Sequence, residues 1–261
     1  MAAAAALALA STAAAEVKTR VVEYRQGDTV LQGMLAWNDS VTGKRPGVLV
    51  VHEWWGHNEH ARNQARRLAE AGYVGFALDM YGKGKVATHP KDAEAFMMEA
   101  TKNRDVIVAR FNAALVQLKQ DPHVEAEKIA AIGYCFGGGV VLAMARAGAD
   151  LDAVGIFHGS LTPQGSHHAT PGTGEKGRIK PRILVLTGAA DPMIPPVEVD
   201  AFKQEMTAAG ATFEVVSYPG AKHSFTNPDA DKAGMEALGY NAEADQKSWA
   251  ALLAMLKQVY P

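Results

Sequence analysis

The segment AAIGYCFGGGVV, residues 130–141, runs from a short apolar stretch into a row of glycines and carries Cys135, the one cysteine of a 261-residue chain. A lone cysteine excludes an internal disulfide framework and a cysteine-based zinc site, so the thiol is either inert filling or a reactive group. KIAAIGY (128–134) has the short, bounded apolar pattern of a buried strand, and the helix after it begins at the glycines. Gly133-Tyr134-Cys135-Phe136-Gly137 then matches the strand–turn–helix pattern G-x-S-x-G with cysteine in place of serine. In that pattern the nucleophile sits on a sharp, strained turn, and glycines two residues to either side relieve the crowding. The helix N-terminus that follows favours a thiolate beside it. The backbone N–H of Phe136 points towards an oxyanion forming next to the sulfur.

Working outward, the rest of the chain alternates strands with helical patterns. TRVVEYRQGDTVLQGMLAW (19–37) reads as two strands joined by a turn near Gln26-Gly27-Asp28, a hairpin. Val48 to Val51, YVGFALDM (73–80), DAVGIFHG (152–159), RILVLTG (182–188) and TFEVVSY (212–218) read as further strands. Helical patterns are expected over residues 59–71, 92–119, 197–209 and 242–259. This alternation argues an α/β fold, with a mostly parallel sheet covered by helices on both faces and the hairpin added at one edge. Residues 161–181 are rich in Gly, Pro and Thr without apolar period and read as a solvated loop.

Apolar residues make up 48% of the chain, the formal net charge is −2, and no long basic run occurs. Nucleic acid is therefore not an expected partner. The apolar run Ala2 to Ala10 is far short of the roughly 20 residues that span a bilayer, so no membrane partner is expected either. Ala13 and Ala15 before Glu16 fit an A-x-A cleavage pattern. Residues 1–15 are read as a signal peptide, with an alanine tail as the alternative, and 16–261 as a single domain; the signal puts the mature protein in the periplasm or outside the cell, and without it the protein is cytoplasmic. A monomer or weak oligomer is expected.

The elbow alone is a weak signal. It gains weight because an acid and a histidine follow it, each just past a strand: Asp191 after RILVLTG and His223 after TFEVVSYPGAK. Cys135, Asp191, His223 is the nucleophile–acid–base order of the α/β-hydrolase fold. His223 is then the base for the thiol, and Asp191 orients and stabilises its imidazolium. HEWWGHNEH (52–60) invites a zinc reading through His52, Glu53, His57 and His60. His52 and His57 are five apart with Gly56 between, which does not fit H-E-x-x-H on one helix face, and no metal is expected. Two other classes compete: a redox-sensing thiol, which would lack a resolving cysteine in this chain, and a non-catalytic small-molecule binder, against which the ordered triad argues.

The motifs VVHEWWG (50–56), LDMYGKG (78–84), GYCFGG (133–138), GAADPMIP (188–195) and GAKHSF (220–225) together make the chain resemble the dienelactone hydrolase family from about Val21 onward. The resemblance implies an α/β-hydrolase fold, a Cys-His-Asp triad without cofactor, and hydrolysis of small lactones, enol esters and related esters. It also implies that Glu53 influences the protonation of the thiol and helps activate it when substrate binds, and that the N–H of Trp54 is the second oxyanion donor. The substrate-facing set it suggests is Tyr81, Trp55, Lys83 and Asn227. Lys83 and Asn227 stand where family members acting on dienelactone carry two carboxylate-binding arginines. A lysine lacks the bidentate fork and Asn227 has no charge, so dienelactone itself is not the expected substrate. Lys85 and Lys222 are the remaining candidates for such a charge.

Overall fold

The structure, a computed structural model, describes residues 16–161 and 176–261. The leader read over residues 1–15, and residues 162–175 of the long loop, lie outside the described residues. The chain opens with a hairpin of β1 (Val17–Gln26) and β2 (Thr29–Asn38), paired antiparallel with Gln26 opposite Thr29. The two-residue turn between them places Gly27 at φ 55°, where a side chain would be strained.

The strands that follow pair in parallel: β3 (Arg45–Val51), β4 (Val74–Leu78), β5 (Val124–Tyr134), β6 (Ala153–Phe157), β7 (Arg182–Gly188) and β8 (Phe213–Tyr218). Among the described residues they form one eight-stranded sheet in the order β1-β2-β4-β3-β5-β6-β7-β8, with β2 antiparallel to β4. Every residue of β4 and β6 is buried, which is why these segments read as continuous apolar runs rather than alternating ones.

Two cores flank the sheet. One holds the apolar faces of α1 (Glu59–Glu70) and α6 (Ala242–Val259), with Leu68, Leu252 and Leu256 fully buried. The other holds those of α2 (Pro90–Thr101), α3 (Arg104–Lys119), α4 (Phe136–Arg146) and α5 (Pro196–Ala209). The expected α/β fold with helices on both faces and a hairpin at one edge is thus observed.

One expectation is corrected. The single helix read over 92–119 is two, broken at Lys102-Asn103. Asn103 takes an extended conformation, and its side-chain oxygen accepts a hydrogen bond from the N–H of Asp105, which starts a new helix with its own cap.

Candidate active site

The parallel strands all point one way, so the loops leaving their C-terminal ends share one edge of the sheet, the usual place for a site in such folds. Glu53 follows β3, Asp79 and Tyr81 follow β4, Cys135 follows β5, His158 follows β6, Asp191 follows β7 and His223 follows β8.

Cys135 has φ 52° and ψ −114°, a conformation that favours glycine and is costly with a Cβ. What forces it is close packing on either side. A Cβ on Gly133 would lie 2.1 Å from the carbonyl oxygen of Gly137, and one on Gly137 would lie 2.3 Å from the carbonyl oxygen of Val51. Strand β5, helix α4 and the end of β3 therefore touch backbone to backbone, and the chain turns within a single residue. The N–H of Cys135 donates to the carbonyl of Phe157 at 3.0 Å, which pins the elbow to the neighbouring strand. Phe136 is the first residue of α4, so its N–H has no acceptor within the helix and stays available beside the sulfur. The thiol is 8% exposed, nearly enclosed yet reachable.

Nδ1 of His223 lies 2.8 Å from Oδ2 of Asp191, and both residues are buried. The other carboxylate oxygen of Asp191 accepts the N–H of Met193 at 2.8 Å, so the acid cannot swivel. Burial works against a charge on His223. The neighbouring Cys135 and the hydrogen-bonded Asp191 carboxylate outweigh it and raise its pKa well above the ordinary value, while Nε2 is buried without a hydrogen-bond partner among the described residues. His223 and Asp191 are thus hydrogen-bonded to each other, and Cys135 lies near enough to His223 to influence its protonation.

Glu53 is 1% exposed, and its two oxygens are fully used. Ser224 Oγ donates to one at 2.6 Å, and Asn227 Nδ2 donates to the other at 2.7 Å. Both partners come from the loop that carries His223. Trp54 and Trp55 follow in the same turn, rings edge to face with centroids 5.0 Å apart, both partly exposed. The turn is held by Ala87, whose N–H donates to the carbonyl of Trp55 at 2.9 Å.

Tyr81 is 2% exposed, its ring packed against His52 and against Phe136 beside the thiol. Burial, then the charges of Cys135 and Asp79, raise its pKa well above the ordinary value, so the hydroxyl keeps its proton. Asp79 Oδ1 accepts the N–H groups of Tyr81 and Gly82 at 2.8 and 2.9 Å, and Arg110 donates to the carbonyls of Met80 and Tyr81.

Two expected substrate-facing residues are placed otherwise. Asn227 does not present a free amide to a ligand, because it is buried and bound to Glu53. The ammonium of Lys83 is paired with Glu23 on β1, which draws it to the hairpin. Lys85 pairs with Glu99 at 2.8 Å, and Lys222 donates to the carbonyl of Glu236 at 2.8 Å, so neither supplies the missing charge. The zinc reading also loses its first ligand. His52 Nε2 accepts the N–H of Met80 at 3.1 Å, and Nδ1 donates to the carbonyl of Glu53 at 2.5 Å. No group of three potential metal ligands occurs among the described residues.

The partners of Glu53 were not foreseen from sequence. Ser224 and Asn227 sit one and four residues past the histidine, and nothing local in the sequence ties them to the loop after β3. His158 was also missed. It carries φ 40°, is fully buried, and lies against His223.

Comparison with known proteins gives this constellation a family context. The family described as the dienelactone hydrolase family matches residues 31–260. A protein of Synechocystis provisionally named carboxymethylenebutenolidase is 27% identical over 90% of this chain and 94% of its own length. One of Yersinia pestis with the same provisional name is 28% identical over 89% of this chain and 85% of its own. Among solved structures, a dienelactone hydrolase-like promiscuous phosphotriesterase from metagenomic libraries is 35% identical with a TM-score of 0.87, covering 94% of this chain and 99% of that one. A dienelactone hydrolase assignment from Klebsiella pneumoniae, at 24% identity and a TM-score of 0.80, shares the fold.

Proposed function

We propose, for a chain that belongs to the dienelactone hydrolase family and is a hydrolase of the ester and lactone type, that catalysis runs through an acyl-enzyme on Cys135. The observation that carries this reading is the pairing of a thiol on a strained turn with a buried His223–Asp191 hydrogen bond of 2.8 Å. The sulfur, as thiolate beside the His223 imidazolium, attacks the carbonyl carbon and the C=O electron pair moves to oxygen. The N–H of Phe136 and that of Trp54 receive the oxyanion. Collapse breaks the bond to the leaving oxygen, which takes the proton from His223 Nε2 and, in a lactone, stays tethered to the acyl chain. Water then attacks the thioester while His223 accepts its proton. The carboxylic acid leaves and the thiol–imidazole pair is restored.

The substrate is read from what the site lacks. Asn227 is neutral and spent on Glu53, and Lys83, Lys85 and Lys222 all have partners elsewhere. A carboxylate on the substrate would enter without a partner, at a desolvation cost of several kcal/mol. The favoured substrates are therefore uncharged lactones and esters. Neutral phosphotriesters are a second class, favoured by the 35% identical phosphotriesterase neighbour and by the pairing of Lys83, Lys85 and Lys222 with other groups among the described residues. Measuring kcat/KM for matched lactones or aryl esters with and without a carboxylate tests this. The neutral member should exceed the anionic one by at least about tenfold, and equal values or the reverse preference would refute the substrate assignment.

A further inference from the structure

His158 is a residue that the reaction scheme does not use, yet the fold carries a cost to place it. It is a bulky residue at φ 40°, a conformation that persists only where the surroundings over-determine it. Its side chain is fully buried, with the ring edge on His223 at a centroid distance of 5.2 Å and an interplanar angle of 65°. Phe225 packs against it from the far side of the same loop, also at 5.2 Å. His158 Nε2 and the Thr226 hydroxyl share a hydrogen bond of 2.9 Å, and Thr226 is 1% exposed. Its backbone N–H donates to Leu186 at 2.8 Å, and the carbonyl of the preceding Phe157 accepts the N–H of Cys135. Phe157-His158 thus holds the nucleophile's turn with its backbone and the base's loop with its side chain.

We propose that His158, through its hydrogen bond to Thr226 and its contact with the His223 ring, is a positioning residue that fixes the imidazole of His223 against Cys135. Asp191 holds one end of that imidazole in the plane of their hydrogen bond but leaves rotation about the hydrogen-bond axis free. The edge-to-face contact of the His158 and His223 rings removes that freedom. Thr226, three residues past His223, prevents the loop from drifting away from β6. Burial, then the charges of His223 and His60, hold His158 well below the usual imidazole pKa. It therefore stays neutral and does not compete for the proton that His223 carries. The inference rests on the reading of His223 as the base for Cys135.

The test compares Thr226→Val, Thr226→Ser, His158→Phe and the His158→Phe/Thr226→Val pair by p-nitrophenyl acetate turnover and by the rate at which iodoacetamide alkylates Cys135 near neutral pH. Thr226→Val is close to isosteric and keeps the fold. Thr226→Val and His158→Phe should each lower kcat by about ten- to hundredfold with KM little changed, since misplacement of a catalytic group costs that much. Both should also slow alkylation, because the imidazolium no longer faces the sulfur. Thr226→Ser, which keeps the hydroxyl, should retain wild-type rates. The double variant should be no worse than the worse single one, because the two residues act as a unit. The proposal is overturned if folded Thr226→Val has wild-type kcat and alkylation rate, if Thr226→Ser is as impaired as Thr226→Val, or if the two losses multiply. Should His158→Phe not fold, the two Thr226 variants decide. Continued turnover by fully alkylated wild type would instead refute Cys135 as nucleophile, which separates the two failures.

Discussion

At the scale of single residues, Glu53 is where the sequence said least and the structure says most. The elbow helix packs so closely on the end of β3 that the carbonyl oxygen of His52 would lie 2.7 Å from a Cβ on Gly137, which brings the Glu53 turn against the nucleophile's helix. A carboxylate there disfavours a second negative charge nearby, while the helix N-terminus and His223 favour one. Glu53→Gln removes the first influence and leaves the second. Iodoacetamide should therefore label Cys135 faster near neutral pH, while ester turnover should fall if Glu53 has the activating role that the family resemblance implies. Slower alkylation in a folded variant would contradict this account of Glu53 without touching the triad. The proposed triad could be read from the sequence because the three candidate residues each follow a strand in a fixed chain order. The hydrogen bonds of Ser224 and Asn227 to Glu53 span 171 and 174 residues, and no local pattern announces a contact of that separation. The bond of Asn227 to Glu53 escaped the sequence reading for the same reason. Its position matched a charge-bearing site, but its partner is set by tertiary contact.

At the scale of elements, the strand–turn–helix unit around Cys135 shows how a function is bought with local strain. The turn was readable because glycines must stand where backbones meet, and Gly133 and Gly137 both do. The strain is testable with two variants that equally lack the thiol. Cys135→Ala keeps a Cβ at φ 52°, and Cys135→Gly does not. Relief of the strained conformation, of order 1–3 kcal/mol, exceeds the roughly 0.5–1 kcal/mol that glycine loses in chain entropy. Urea unfolding should therefore find Cys135→Gly more stable than Cys135→Ala by about 1 kcal/mol, and an order reversed would mean that the turn is not strained. The break between α2 and α3 escaped the sequence reading for the opposite reason. The apolar content runs on across Lys102-Asn103, and only the cap of Asn103 on Asp105 marks the new start.

At the scale of the whole molecule, the buried histidines set the response to acid. His52, His57, His60 and His158 are all pushed below the ordinary value of 6.5, with burial the largest cause in each, and His57 reaches about 4. A group whose pKa is depressed by folding contributes stability that is complete above its unfolded value and lost as the pH falls towards its folded one. His223, raised on folding, has the opposite sign: its contribution is complete below 6.5 and lost as the pH rises through its folded value. Stability should therefore peak near neutrality and fall steeply between about pH 6.5 and 4. The urea midpoint should be clearly lower at about pH 5 than at about pH 7, and His57→Gln should flatten part of that fall. Equal midpoints at the two pH values would contradict the assignment of these histidines as neutral in the folded state. The overall fold was legible from alternating strands and helices, whereas this histidine cluster was not. The sequence groups His52, His57 and His60 in one short stretch but leaves His158 far from them, and only the fold brings His60 and His158 both against Tyr134.

The claim on which the whole account depends is a covalent bond to Cys135. Wild-type protein mixed with p-nitrophenyl acetate, quenched in acid during the first turnover and measured by intact mass and peptide mapping, should carry one acetyl group on the peptide containing Cys135. Cys135→Ala should carry none and turn over no ester. An acetyl group on another residue, or full activity in Cys135→Ala, would contradict it.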